Sequence, residues 1–309
     1  MIRVENLRRC FGSLVAVDDV SFEVRDGEIF GLLGPNGAGK TTTINMICGV
    51  LQPDGGRVVI DDRDIWLEPA EVKRHLGVVP QEVAVYEDLT AFDNLAFWGS
   101  LYRLKGRELS SRIGDSLSRV GLADRAHDRV KTYSGGMKRR LNLCMGLLHR
   151  PKFLLLDEPT VGIDPQARLN ILEVIREVAA GGTTVLYTTH YMDEAEQLCD
   201  RIGIIDHGRI LAMGSLAELT RRAGEAEVLR LAGAFHDQET RDRLGAISGA
   251  RVLRMDDDSA VLAIDGEGPG LLDVLPAVLD AGLGVEDVSI QRPNLESVFI
   301  ALTGRELRD

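Results

Sequence analysis

Short apolar runs and longer amphipathic stretches take turns along this chain as far as about Arg222. The apolar runs are Ile2–Leu7, Val20–Val24, Glu28–Leu33, Arg57–Ile60, Gly77–Val79, Phe153–Leu156, Thr183–Tyr187 and Arg201–Ile205. Such short runs, set between Gly-, Pro- and Asp-containing turns, predict strands. Phe153–Leu156, Thr183–Tyr187 and Arg201–Ile205 suit the centre of a sheet covered on both faces. Thr42–Cys48 predicts a helix, and a helix-rich block spans about Leu89–Leu148. Asp206-His207-Gly208-Arg209 predicts a hairpin turn into Ile210–Met213. Strands alternating with helices predict an α/β fold.

The pattern changes after Arg222. Glu227–Leu231 predicts a strand, Asp237–Leu244 a helix, and Arg251–Arg254 and Ala260–Ile264 two strands joined at Asp256-Asp257-Asp258. Pro269–Ala281 predicts a helix and Val285–Ile290 a strand. That β-α-β-β-α-β order is the ferredoxin-like arrangement. Pro293-Asn294 opens a last helix, Leu295–Leu302, closed by Gly304. The expected organisation is therefore residues 1–222, with a helical subdomain at about 82–148, and a small α+β domain at 223–309.

With 44% hydrophobic residues, the chain can bury a core, and a net charge of −12 disfavours a nucleic-acid partner. Cys10, Cys48, Cys144 and Cys199 are scattered, as core residues in a reducing compartment would be. The N-terminus has no signal-peptide h-region, and no apolar run approaches a membrane span. A cytoplasmic protein is expected, with any membrane contact made through a partner.

Chemistry enters at Gly34-Pro35-Asn36-Gly37-Ala38-Gly39-Lys40-Thr41, which fits G-x-x-x-x-G-K-[ST] between a predicted strand and helix. Its glycines let backbone N–H groups turn inward around phosphates. The start of the helix, running on through Thr42, adds a partial positive charge. Lys40 supplies a full cation, and the Thr41 hydroxyl can ligate Mg²⁺. A second element, Phe153–Asp157 followed by Glu158, is an apolar strand ending in two carboxylates. Asp157 can hold Mg²⁺ through water, and Glu158 can polarise an attacking water as general base. A third, Ser134-Gly135-Gly136, reads as a helix start and a second anion site. Alone, a Ser-Gly-Gly is an ordinary loop; its place shortly before the Asp157-Glu158 strand is what makes it specific.

These motifs, in this order, resemble the nucleotide-binding subunit of ABC transporters over about residues 1–220. Gly34–Thr41 is similar to the Walker A loop, Phe153–Asp157 to Walker B, and Ser134-Gly135-Gly136 to the signature motif. The resemblance implies a P-loop ATPase core, ATP with Mg²⁺, and roles for further residues. Gln81 would ligate Mg²⁺ and sense the membrane subunit. His190 would hydrogen-bond the γ-phosphate and orient Glu158. Phe11 would stack on adenine. Val161-Gly162-Ile163-Asp164 resembles the D-loop. Taken singly, Phe11 and His190 read as core residues and Gln81 as a surface amide. The signature departs from the commonest form at Tyr133 and Met137, but its phosphate donors are intact. Met137-Lys138-Arg139-Arg140-Leu141 resembles the drug- and lipid-exporting branch, and the tail Pro293–Gly304 is similar to the C-terminal signature of daunorubicin-resistance and sodium-extrusion ATPases.

The resemblance also implies a head-to-tail dimer, because one chain carries one motif set. A homodimer is the economical form. A separately encoded permease would dock on the block between Gln81 and Ser134, which concentrates Tyr86, Phe92, Phe97, Trp98 and Tyr102. The alternatives are an importer ATPase and a soluble ATPase acting outside transport. The second domain shows no catalytic set and is expected to stabilise the dimer or regulate turnover. Asp256-Asp257-Asp258 reads better as a solvated turn than as a metal site.

Overall fold

The structure is a computed structural model, and it describes residues 1–222, 227–235, 238–264, 271–280, 284–291 and 294–303. The chain divides into two compact units, Met1–Leu211 and Ala212–Asp309.

In the first unit the elements run β1 (Ile2–Phe11), β2 (Leu14–Val24), β3 (Ile29–Leu33), α1 (Lys40–Ile47), β4 (Gly55–Ile60), β5 (Arg63–Asp64), α2 (Pro69–Arg74) and β6 (Leu76–Val79). They continue with α3 (Ala91–Leu101), α4 (Gly106–Arg119), α5 (Gly135–Leu147), β7 (Phe153–Asp157), α6 (Pro165–Ala180), β8 (Thr184–Thr189), α7 (Met192–Leu198), β9 (Arg201–Asp206) and β10 (Arg209–Gly214), whose residues from Ala212 on are counted with the second unit. Two sheets result, a four-stranded β2-β1-β4-β5 and a six-stranded β10-β9-β3-β8-β7-β6. Pairing is antiparallel throughout the first. In the second, β9, β3, β8, β7 and β6 run parallel. Strands β3, β7 and β8 are buried at every position. This is why they read as unbroken apolar runs.

The sheet's register positions the site. Leu33 pairs with Thr189 and Asp157 with Thr188. Gly34, Glu158 and His190, each just past the end of its strand, therefore emerge at one level at the carboxyl edge. Ligands of parallel α/β sheets bind outside that edge. Behind it, Leu154, Leu156, Val185 and Tyr187 pack with Leu95, Ile113, Leu141 and Ile171 of the surrounding helices in one apolar core.

Strands β1 and β2 run several residues beyond the predicted spans. Their pairing continues through register shifts to the Phe11–Leu14 pair, and polar residues in those shifted stretches break the alternation. Helix α1 starts at Lys40 rather than Thr42, directly after Gly39 at φ 102°. A Cβ on Gly39 would lie 2.5 Å from the Ala16 carbonyl oxygen, and one on Gly34 2.2 Å from that of Ile205. Both positions thus require glycine so that β2 and β9 can close on the phosphate loop.

The second unit contains α8 (Leu216–Arg222), β11 (Glu227–Gly233), α9 (Gln238–Gly245), β12 (Ala250–Met255), β13 (Ser259–Ile264), α10 (Leu271–Asp280), β14 (Val285–Gln291) and α11 (Leu295–Thr303). Its sheet has the order β12-β13-β11-β14, antiparallel throughout, as a β-α-β-β-α-β chain gives. Leu229, Leu231, Leu262, Val274 and Val278 share its core. On the opposite sheet face, Arg230 of β11 pairs with Glu296 of α11, and α8 contacts α11. That contact assigns α8 to this unit, so the division falls before Ala212 rather than after Arg222. Asp256-Asp257-Asp258 lie at the turn between β12 and β13, with Arg254 bonded to Asp256 and Arg241 to Asp257. Among the described residues there is no cluster of potential metal ligands. Asp237, Pro269, Ala281, Pro293 and Gly304, named in the sequence reading, lie outside the described residues.

Candidate functional site

Lys40 begins α1 with its side chain folded over the loop that precedes it. Its ammonium donates to the carbonyls of Gly34 at 2.7 Å and Pro35 at 3.0 Å. It also lies 2.9 Å from Glu158 Oε1, and both side chains are only 4% exposed. The other Glu158 oxygen, Oε2, accepts from Gln81 Nε2 at 3.3 Å. His190 Nδ1 is also 3.3 Å from Oε2, but its angle is outside hydrogen-bonding geometry. Three residues from three separate segments thus meet on the Glu158 carboxylate.

Glu158 is held there at a cost. Its φ is +44°, a left-handed conformation that non-glycine residues enter for roughly 1–2 kcal/mol. Thr188 fixes it in place. The Glu158 amide donates to the Thr188 carbonyl and to Thr188 Oγ1 at 3.0 Å. The same hydroxyl donates to Asp157 Oδ1 at 2.7 Å. Burial pushes the Asp157 carboxyl above its ordinary value, against the hydrogen bonds from Thr188 and Thr41.

Lys40, Thr41, Thr42, Asn36, Gly37 and Gly39 line a cleft of about 380 Å³, together with Phe11, Gln81 and Glu158. The Phe11 ring is 47% exposed, so it is not a core aromatic, and the Arg9 guanidinium lies 5.0 Å from its centroid. A larger cleft, of about 740 Å³, lies among Arg112, Arg119, Arg150, Asp115 and Glu177. Arg119 faces Glu177 and Arg150 faces Asp115 there, and none of the phosphate-loop residues reaches it.

Ser134 caps α5, its Oγ accepting from the Met137 amide at 3.3 Å. Ser134 and Gly135 are exposed while Gly136 is buried. None of the three lines the cleft around Lys40, so within one chain the Ser134 helix start and the Lys40 loop are separate places. Of the named aromatics, Tyr86 and Phe97 are exposed and meet edge to face, whereas Phe92, Trp98 and Tyr102 pack against the core.

Sequence reasoning missed several residues that shape the site. Thr188 is one. Glu194, buried on α7, is another: its Oε2 accepts from Tyr187 at 2.6 Å and from Thr189 at 2.9 Å. Arg139 and Asn142 are two more, polar residues on the otherwise buried stripe of α5 that includes Gly136, Leu143 and Gly146. A charge and an amide on such a stripe were the available signal.

A glycine-rich loop between a buried strand and a helix, with a lysine and an acidic pair converging on it, defines a P-loop nucleoside triphosphatase. A family profile described as ABC transporter matches residues 17–161. The chain is 42% identical over the full length of both proteins to the linearmycin resistance ATP-binding protein LnrL of Bacillus subtilis. It is 39% identical to the daunorubicin/doxorubicin resistance ATP-binding protein DrrA of Streptomyces peucetius, over 100% of this chain and 94% of that one. Its fold matches a dimeric ATP-binding cassette bound to ADP and Pi after hydrolysis, with a TM-score of 0.64 and 25% identity over 70% of this chain and 98% of that one. The chain belongs to the ABC transporter family, as an ATP-binding subunit.

Proposed function

We infer that this chain binds and hydrolyses ATP to drive export through a membrane partner. The observation that carries the reading is the convergence of Lys40, Glu158, Gln81 and His190 at the phosphate loop. Lys40 and the loop amides of Gly34–Thr41 would hold the β- and γ-phosphates, and Phe11 would face the adenine. Glu158 would draw the proton from the attacking water, with His190 orienting it. Asp157, Thr41 and Gln81 offer oxygen donors that suit Mg²⁺, and the Thr41 bond to the Asp157 carboxylate is in keeping with one shared ion. When bound, Mg²⁺ would neutralise charge on the phosphates.

Ser134, Gly135 and Gly136 would close on the nucleotide of a second copy in a head-to-tail homodimer. The exposure of Ser134 and Gly135 supports this reading. No helix among the described residues is long and apolar enough to cross a membrane. A separate permease would supply the spans and hold this subunit at the cytoplasmic face, with the exposed Tyr86–Phe97 pair as its proposed seat. The names of the resistance proteins favour drug efflux over import. The Ala212–Asp309 unit is proposed to steady the dimer or set its turnover. Glu158→Gln tests the core of the reading: ATPase turnover of the full chain should fall by about a hundredfold or more while ATP with Mg²⁺ drives dimerisation in light scattering. Near-normal turnover would reject Glu158 as base, and a variant that stayed monomeric would reject the shared site.

A further inference from the structure

The loop that carries Gln81 to Glu158 is pinned from behind, and the pins come from α5. The Arg139 guanidinium, 5% exposed, donates through Nη1 to the Gln81 carbonyl. Through Nη2 it donates to the Val161 carbonyl at 3.2 Å. About one turn along α5, Asn142 donates to the Pro80 carbonyl and accepts from the Ala84 amide, both at 3.3 Å. A single buried fork therefore ties three segments together: the Gln81 loop, the Val161–Asp164 loop that follows Glu158, and the helix that starts at Ser134.

Burying a guanidinium in this way is poorly explained by stability. Desolvation holds its pKa below the ordinary value, opposed by the charges of Asp157 and Glu158. Replacing buried charges with apolar side chains of similar volume is often neutral or stabilising. What a methionine could not do is hold two carbonyls from two loops in a fixed relation. A lysine lacks the planar fork that makes the bonds simultaneous.

We propose that Arg139 is a positioning residue for ATP hydrolysis, setting the Gln81 side chain and the Val161–Asp164 loop relative to the Ser134 helix. It touches neither the phosphate loop nor Lys40, so it acts through Gln81 and not on the nucleotide. The inference rests on the reading of Gln81 as part of the hydrolytic site. It predicts that movement of the Gln81 loop is passed by one side chain to the Ser134 anion site.

The test compares full-length Arg139→Met and Arg139→Lys with the parent and with Gln81→Ala. In Arg139→Met, kcat should fall roughly tenfold to a hundredfold, the scale of a misplaced catalytic group. Affinity for a non-hydrolysable ATP analogue should stay within about twofold, and the unfolding midpoint should not drop. Arg139→Lys, which keeps one of the two carbonyl bonds, should lie between Met and the parent. Hydrogen–deuterium exchange should rise in the segments around residues 81 and 161 and not in 34–41. Losses from Arg139→Met and Gln81→Ala should be less than multiplicative when combined. Unchanged kcat in Arg139→Met, or multiplicative losses, would overturn the proposal. So would a kcat loss matched by the loss of folded protein, with Arg139→Lys arbitrating if Arg139→Met does not fold. If Gln81→Ala alone hydrolysed ATP normally, the reading of Gln81 would fail. The exchange measurement would then decide whether Arg139 still grips both loops.

Discussion

The ammonium proposed to receive phosphate is bonded to the carboxylate proposed to activate water. Lys40 Nζ and Glu158 Oε1 are 2.9 Å apart and both buried. At that separation the gross attraction is about 6 kcal/mol for an effective dielectric near 20. A charge-assisted bond nets about 1.5–3 kcal/mol after desolvation, and a neutral one about 0.5–1.5 kcal/mol. Arriving phosphates must displace Glu158 from Lys40. Glu158→Gln weakens that competitor by about 1–1.5 kcal/mol, so nucleotide affinity should tighten roughly tenfold. Calorimetric titration with a non-hydrolysable analogue measures this apart from any trapping by blocked hydrolysis. Equal affinities would refute the argument. Persistence of the gain in a Lys40→Met background would refute it too, because direct repulsion of phosphate by Glu158 would then explain the whole effect.

Lys40→Ala should weaken nucleotide binding by at least about tenfold, since a charged phosphate contact is lost; fluorescent-nucleotide titration reads this directly. Glu194→Ala strands the Tyr187 and Thr189 hydroxyls in a buried site and should cost about 2–4 kcal/mol in a urea melt. His149 stacks on Tyr102 with ring centroids 3.6 Å apart, and burial lowers its pKa from 6.5 to about 4. The unfolded chain then binds the extra proton first as pH falls, so this group's contribution is complete above 6.5 and is lost on descending to about 4. His149→Phe should flatten that part of the stability–pH curve, as followed by thermal melts. Ending the chain after Gly214 keeps β10 and removes α8 to α11 together with the second unit's sheet. Dimerisation, ATPase rate and transport all unchanged in that truncation would dispose of the role proposed for the second unit.

Much of this site could be read from the sequence because its strands are buried on both faces. Phe153–Leu156 and Val185–Tyr187 had to be apolar, and Asp157 and Thr188-Thr189 at their ends carried the polar residues. The antiparallel sheet was harder. Beyond Leu7, strand β1 continues as Arg8-Arg9-Cys10-Phe11 through register shifts, and such a bulged stretch leaves no alternation to follow. The boundary between units was misplaced for a related reason. Leu219 is fully buried, but a short helix with one apolar stripe does not reveal which neighbour covers it. Thr188 and Arg139 were missed because their partners lie far along the chain, and Glu194 because its partners, though near in sequence, sit on a strand whose facing it must match. Their roles depend on strand register and helix phase, which a single sequence does not specify to within a residue.

The two proposed anion sites, at Lys40 and at Ser134, differ in a way that bears on the proposed shared nucleotide. The one at Lys40 is closed on itself: its cation is satisfied by Glu158 and two loop carbonyls. The one at Ser134 is open. The Ser134 oxygen accepts one amide bond, which leaves its hydroxyl proton free to donate, and Gly135 is exposed beside it. A phosphate could therefore settle at Ser134 without breaking an ion pair, but would gain no formal cation there. At Lys40 it gains a cation only by displacing Glu158. On the proposed reading, each place alone would hold a triphosphate less well than the two together, for opposite reasons. A nucleotide held between Lys40 of one copy and Ser134 of another would gain the charge of the first and the open donors of the second. The displaced Glu158, released from Lys40 and still tied through Thr188 to the strand end, would be the nearest base.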